Sequence, residues 1–332
     1  MSPSFASAFL LVILGGALTG VFTGPMKFLT RWRWENIWLV YATCAMFLIP
    51  SAVILAVIPN LPAIYTALAP SRALLILACG FLWGIGSVLF GLGVDRLGMG
   101  LGFALIMGIS TLFGAVLPLF LSESVEIKTF FYLCGMSLLL AGVAVSGYAG
   151  SARERSNAGA GVSGRNYATG ILICVLSGVL SSLFNIGMVV ARPVQELASS
   201  AGAPGWASGN AVWPMLLFGG FLANAAYCGW LLSKNNTAGL FLRGGWREWC
   251  GAIAMGAAWI AGVMSYGAGA WFMGALGPIV GWPVFTSLML ICAYLLGRFT
   301  GEWHGVPPVT LRWMNAGVAL SVISLFLLAF ST

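Results

Sequence analysis

Charge is scarce in this sequence. Only 7% of its 332 residues are charged, against roughly a quarter in an ordinary soluble domain. It has one histidine, His304, which falls in a loop, and no Cys pair at zinc spacing, no GxSxG step and no phosphate-binding loop. Those absences leave little from which to build an enzyme, a metal centre or a cofactor site, so none is expected. The 7 cysteines stand singly, nearly all within apolar runs, and read as small buried hydrophobes rather than a disulfide framework. Glu35, Asp95, Glu123, Glu126, Glu154, Glu196, Glu248 and Glu302 all map to loops or helix ends. No charge is expected at mid-membrane, where it normally marks an ion pathway or a charged ligand. A phosphate, a nucleotide sugar or a hydrophobic cation is therefore a poor substrate, and a neutral polar solute a better one.

Apolar residues and glycine are abundant. The chain is 60% hydrophobic, with 45 glycines and 14 tryptophans, and its mean hydropathy is +0.98. It belongs in a bilayer. Because a spanning helix needs about 20 apolar residues, the uncharged runs predict ten helices, at roughly 4–26, 36–58, 72–94, 98–121, 129–149, 167–190, 209–233, 249–271, 277–297 and 312–330. No Lys or Arg precedes the first long run, so it is expected to stay as a helix rather than be cleaved.

The formal charge of +7 raises the question of an acidic partner, but the 15 basic residues sort by side. Lys27, Arg31, Arg33, Arg96, Arg153, Arg155, Arg165, Lys234, Arg243, Arg247, Arg298 and Arg312 follow odd helices; only Arg72, Lys128 and Arg192 follow even ones. The positive-inside bias then puts the odd loops in the cytoplasm and both termini in the periplasm. The excess is a topology signal, and no nucleic-acid partner is expected. Trp32, Trp34 and Trp38 in the first odd loop are expected as an interfacial aromatic belt against the membrane lipids.

The chain repeats itself. Laid without a gap, residues 78–112 match 254–288 at Ala78/Ala254, Gly80/Gly256, Trp83/Trp259, Gly86/Gly262, Gly91/Gly267 and Gly98/Gly274, with Phe90 on Tyr266, Ser110 on Thr286 and Thr111 on Ser287. The first and sixth helices independently pair Gly16 with Gly178, Thr19 with Ser181, Phe22 with Phe184 and Thr23 with Asn185. Five helices repeated once give an inverted second copy, the plan of secondary transporters with the site at the midplane. Residues 1–150 and 167–332 are the expected halves, and the Gly/Ser/Asn-rich residues 151–166 a flexible cytoplasmic linker.

Gly16, Gly20 and Gly24 recur at spacing four and suit close helix approach, while Gly24-Pro25 and the glycines at 100 and 102 suit bent segments. On the repeated helices Thr23, Ser87, Ser181, Asn185, Asn224, Thr286 and Ser287 supply hydroxyls and amides, and Phe22, Trp83, Phe90, Trp259, Tyr266 and Trp282 supply rings. A sugar needs that mixture: its hydroxyls must be re-paired on leaving water, and its C–H face packs on aromatic surface. An exporter of amino acids or other metabolites, a channel and a receptor are the alternatives. The ionisable groups nearest the repeated core are Lys27, just after the Gly24-Pro25 break, and Asp95, which makes them the coupling candidates.

"GPMKFLTRWRWENIW" (24–38) resembles the first loop of the L-rhamnose/proton symporter family of the drug/metabolite transporter superfamily, through Pro25, Lys27, Trp32, Trp34-Glu35 and Trp38. "FLWGIGSVLFGL" (81–92), "LGMGLG" (97–102), "ARPVQE" (191–196) and "GGFLANAAYC" (219–228) follow in order. The resemblance implies an all-α inner-membrane carrier of the EamA-like fold, moving L-rhamnose or a related monosaccharide with protons. It lapses at Ser87, where the family pattern has Asn, and at Gly262, Pro278 and Phe285, where the pattern has Gln, Asp and His. With those titratable positions apolar, weakened proton coupling is the expectation.

Overall fold

A computed structural model describes residues 4–58, 60–121, 126–157 and 164–332. Its ten long apolar helices are α1 (Phe5–Phe28), α2 (Trp34–Val57), α3 (Pro70–Leu97), α4 (Gly100–Leu121), α5 (Thr129–Glu154), α6 (Tyr167–Ser200), α7 (Gly205–Lys234), α8 (Trp246–Phe272), α9 (Gly277–Phe299) and α10 (Pro308–Phe330). Among the described residues there is no strand. The protein is a multi-pass membrane protein.

Several spans are broken where the sequence removes backbone donors. In α1 the helix Phe5–Val21 gives way to a 3₁₀ turn, Gly24–Phe28, whose second residue is Pro25. A π-helical stretch, Thr43–Leu48, precedes Pro50 in α2, and α9 opens on another, Gly277–Gly281, which contains Pro278 and precedes Pro283. Proline brings no N–H to the ladder, and such widened turns recur at functional sites. The break expected near Gly100 lies at Gly98 instead, whose φ of 87° closes the turn into α4. Only glycine adopts that backbone freely. Gly100 itself is helical, and its bare Cα lets the Gly150–Ser151 backbone pass.

The helices pack pairwise. α1 lies against α8 and α9, and α6 against α3 and α4; α5 pairs with α10, α3 with α7, and α2 with both α7 and α8. Between helices the bilayer offers no hydrophobic drive, so close backbone approach has to supply the dispersion energy. Gly16 and Gly20 do this for α1 on α9: a Cβ there would come within 2.5 Å of Phe285 O and 2.6 Å of Met289 O. Gly24 has looser neighbours, the Leu296 methyls at 3.5 Å.

The linker is shorter than its composition implies. Helices extend over Thr129–Asn157 and from Gly164 to Val190, and residues 158–163 lie outside the described residues.

Trp32 corrects the belt reading. It is 4% exposed and donates through Nε1 to Leu240 O at 2.9 Å. Its ring meets Phe241 and Trp249 edge-on, with centroids 5.4 Å and 5.0 Å away. A belt residue faces lipid; Trp32 instead pins the first loop onto the loop between α7 and α8. Next to it Glu35, 4% exposed, accepts from Asn235 Nδ2 at 3.0 Å and Thr237 Oγ1 at 2.7 Å, and Asn36 Nδ2 donates to Thr237 O at 3.0 Å. A buried carboxylate is tolerable because donors take up its charge.

Candidate substrate site

At the centre of the bundle Trp83 of α3 and Trp259 of α8 stack with centroids 5.9 Å apart and planes 19° apart. Each sits mid-helix in a glycine-rich stretch whose thin neighbours leave room for an indole. Phe184 of α6 abuts Trp83 at 5.1 Å and Trp282 of α9 at 5.8 Å, and stacks on Trp213 of α7 at 4.9 Å. Tyr266 and Phe285 continue the cluster, 5.9 Å and 5.7 Å from Trp282. Five helices, α3, α6, α7, α8 and α9, thus meet on aromatic rings.

One amide ties this cluster together. Asn185 is fully buried and donates through Nδ2 to Gly114 O of α4 at 2.7 Å and to Pro278 O of α9 at 2.9 Å, while its Oδ1 accepts from the Tyr266 hydroxyl. Pro278 lies in the π-helical opening of α9, and Tyr132 Oη is 3.5 Å from Ile279 O in the same turn. These side chains satisfy carbonyls that a broken helix would leave bare in an apolar interior.

A second polar knot joins α2, α3 and α7. Asn224 Oδ1 accepts from Trp38 Nε1 at 2.9 Å and from Ser87 Oγ at 3.1 Å, and Asn224 Nδ2 donates to Gly220 O at 2.9 Å. Tyr41 bridges the knots, its ring 4.7 Å from Trp38 and 6.2 Å from Trp259.

The remaining residues expected from the sequence divide. Phe22 stacks on Tyr41 at 5.2 Å and so reaches the cluster's edge. Thr286 and Ser287 are buried but return their hydroxyls to α9 carbonyls, Trp282 O at 3.0 Å and Pro283 O at 2.7 Å; Thr286 also accepts from Thr111 at 3.1 Å. Thr23 precedes the 3₁₀ turn of α1 without capping it. The Ser181 backbone lies against Gly86. Phe90 meets Phe103 edge-on at 5.4 Å in a separate cluster with Leu97, Ile106 and Cys174, so the structure does not bring it to the Trp83–Trp259 stack. Asp95 is exposed near the end of α3. Lys27 forms an ion pair with Glu302 and donates to Thr300 Oγ1 at 2.6 Å, and Arg153 stands 3.6 Å from the same carboxylate and 4.8 Å over the Trp303 ring.

Sequence reasoning overlooked Phe184, Trp213, Trp38 and Tyr41. Phe184 was signalled by its pairing with Phe22 in the repeat, and Trp213 by Asn210 three residues earlier, whose Oδ1 accepts its indole N–H at 2.6 Å.

A ten-helix bundle with facing aromatic rings and buried amides at its core is the architecture of a membrane transporter rather than an enzyme. The chain belongs to the L-rhamnose-proton symport protein family, whose profile matches residues 1–327. L-rhamnose-proton symporters of Escherichia coli O1:K1 and Shigella dysenteriae serotype 1 are each 24% identical to it, over 335 and 334 residues, covering 96% of this chain and 96% of each relative. A solved crystal structure of a protein shares the fold with a TM-score of 0.57 at 17% identity, covering 98% of this chain and 96% of the other.

Proposed function

We propose that this protein carries a small neutral sugar, L-rhamnose or a related monosaccharide, across the bacterial inner membrane as a proton-linked symporter. The observation that carries this reading is the Trp83–Trp259 stack, two rings equivalent in the repeat, meeting from opposite halves. Aromatic faces with nearby amides and hydroxyls suit a sugar, and the two Escherichia and Shigella relatives are named for L-rhamnose and protons.

The fold is two inverted five-helix repeats of the EamA-like kind, residues 1–150 and 167–332, joined by the segment 151–166, which is helical at both ends. Helix neighbours support it. Adding five to each helix number turns the α6 contacts with α3 and α4 into the α1 contacts with α8 and α9, and leaves the pairs α5–α10 and α2–α7 unchanged. Both termini then face the periplasm and the loops after odd helices the cytoplasm. Reporter fusions at residue 158 and at the C terminus are expected to report opposite sides; the same side would overturn the count of five spans between them.

Thr23, Ser181, Thr286 and Ser287 stay candidates for substrate contact once the halves move, with Phe22 at the rim. Coupling needs a titratable group that both sides reach in turn. Lys27 is our candidate because its partner Glu302 comes from the far half of the chain, so the pair spans the two repeats; Asp95 is the second. In proteoliposomes, L-rhamnose counterflow is expected at equal pH, together with modest accumulation under an inward proton gradient at clamped potential. Lys27→Ala should abolish the accumulation and keep the counterflow. Accumulation that survives Lys27→Ala puts the proton site elsewhere, and counterflow of amino acids but not of sugars would make the protein an exporter of the same superfamily.

A further inference from the structure

The repeat permits a like-for-like comparison of the two ends of the bundle. On α3, Ser87, Phe90 and Val94 are half-buried and Gly91 and Asp95 exposed, whereas the residues equivalent to the first four in sequence order, Val263, Tyr266, Gly267 and Ala270 on α8, are all buried. The glycines make the contrast sharpest. A Cβ on Gly267 would run into Asn210 Oδ1 and Trp213 Nε1, while one on Gly91 meets nothing within 4 Å. The bundle is therefore packed shut at the α8–α9 turn and open beside α3 at the opposite end, the end where the first loop lies.

Sugar-recognition chemistry lines that opening. Trp34 stacks on Trp38 with centroids 5.1 Å apart and planes 18° apart, and Tyr227 of α7 meets Trp34 edge-on at 6.3 Å. All three rings are half-buried. Across from them stand Ser87 and Asn224, both bonded into the Trp38 knot. Asn224 is fully buried behind them, where it holds Trp38 and Ser87 on its Oδ1 and donates to Gly220 O at 2.9 Å, and the half-buried Ser87 hydroxyl keeps its lone pairs for a ligand. Asp95, exposed near the end of α3, lies one helical turn beyond Gly91 on the same face of that helix. Glu35 is taken up by Asn235 and Thr237.

The geometry points to a second monosaccharide subsite here, in a vestibule between α2, α3 and α7, distinct from the Trp83–Trp259 stack. It rests on the sugar-carrier reading and on the cytoplasmic side assigned to the first loop. A pyranose lays its C–H face on Trp34, its hydroxyls donate to Ser87 and Asp95, with Asn224 holding Trp38 and Ser87 in place behind it, and from there it leaves to the cytoplasm or waits to enter. Apolar ring contact with a few convergent polar groups is how small-molecule sites orient a ligand.

Gly91→Cys tests it, since the position has room for a side chain. Inside-out vesicles would be treated with a membrane-impermeant maleimide, and modification of the peptide carrying the introduced thiol read by mass spectrometry, so that exposed Cys250 does not interfere. With L-rhamnose or another aldose at about ten times its Kd, labelling should slow roughly tenfold, and Trp34→Leu or Ser87→Ala should remove the protection. Protection by none of a panel of aldoses, or protection that persists in both variants, overturns the subsite. Protection by an aldose other than L-rhamnose, in a protein without L-rhamnose counterflow, upholds the subsite and changes only the substrate.

Discussion

Trp83→Leu and Trp259→Leu are each expected to raise the KM for sugar counterflow roughly thirtyfold while folded protein persists. Leucine offers a sugar face much less apolar surface than indole, a loss of about 2 kcal/mol at 25 cal/mol per Å² of contact, which converts to that factor. The two rings are 8% and 7% exposed and cover one another. For a sugar to lie against either, the halves that carry them must part, so each ring serves as half of a clamp. Trp83→Phe and Trp259→Phe retain a face and should cost only a few-fold. Counterflow assays with the melting temperature measured in parallel separate this role from packing. Variants that melt earlier yet keep a normal KM would show that the stack holds the halves together and touches no substrate.

The ten spans were legible because uncharged runs of the right length have one stable fate in lipid, and Lys or Arg punctuates nearly every one. What escaped the sequence is contact between segments distant along it. Trp32 and Glu35 read as interfacial residues of a loop, since nothing local shows that Leu240, Asn235 and Thr237 will close over them. The repeat in the sequence pairs Trp83 with Trp259, and the structure brings the two rings together. Phe90 was not: the repeat puts it opposite buried Tyr266, yet its own end of the bundle is open and the ring turns to Phe103. Repeat arguments predict which residues are equivalent, and the state of the bundle decides which of two equivalents is packed. Asp95 likewise is exposed near the end of its helix, away from the Trp83–Trp259 stack.

Asn185→Ala should unfold this protein more readily than any change at the Trp83–Trp259 stack. The sequence offered Asn185 as a substrate ligand, and the structure fills its amide: two N–H bonds to Gly114 O and Pro278 O and one acceptor to Tyr266, all buried. A side chain so engaged has little left for a sugar, but it ties α4 and the opening turn of α9 to α6. Hydrogen bonds between membrane helices measure about 0.6 kcal/mol on average and up to about 1.7, so three lost together cost about 2–5 kcal/mol. Such a loss is a large part of a typical folding free energy. Alanine also strands the Tyr266 hydroxyl, and Tyr266→Phe removes that stranded group. The double variant should therefore be less destabilised than the two single losses added, by about 1 kcal/mol, the coupling expected of residues in contact. Thermal unfolding in detergent of the four proteins of the cycle measures this, with counterflow KM taken on those that fold. A substrate ligand would give the opposite pattern, with an unchanged melting temperature, a raised KM and no coupling to Tyr266, and that result would return Asn185 to the binding site.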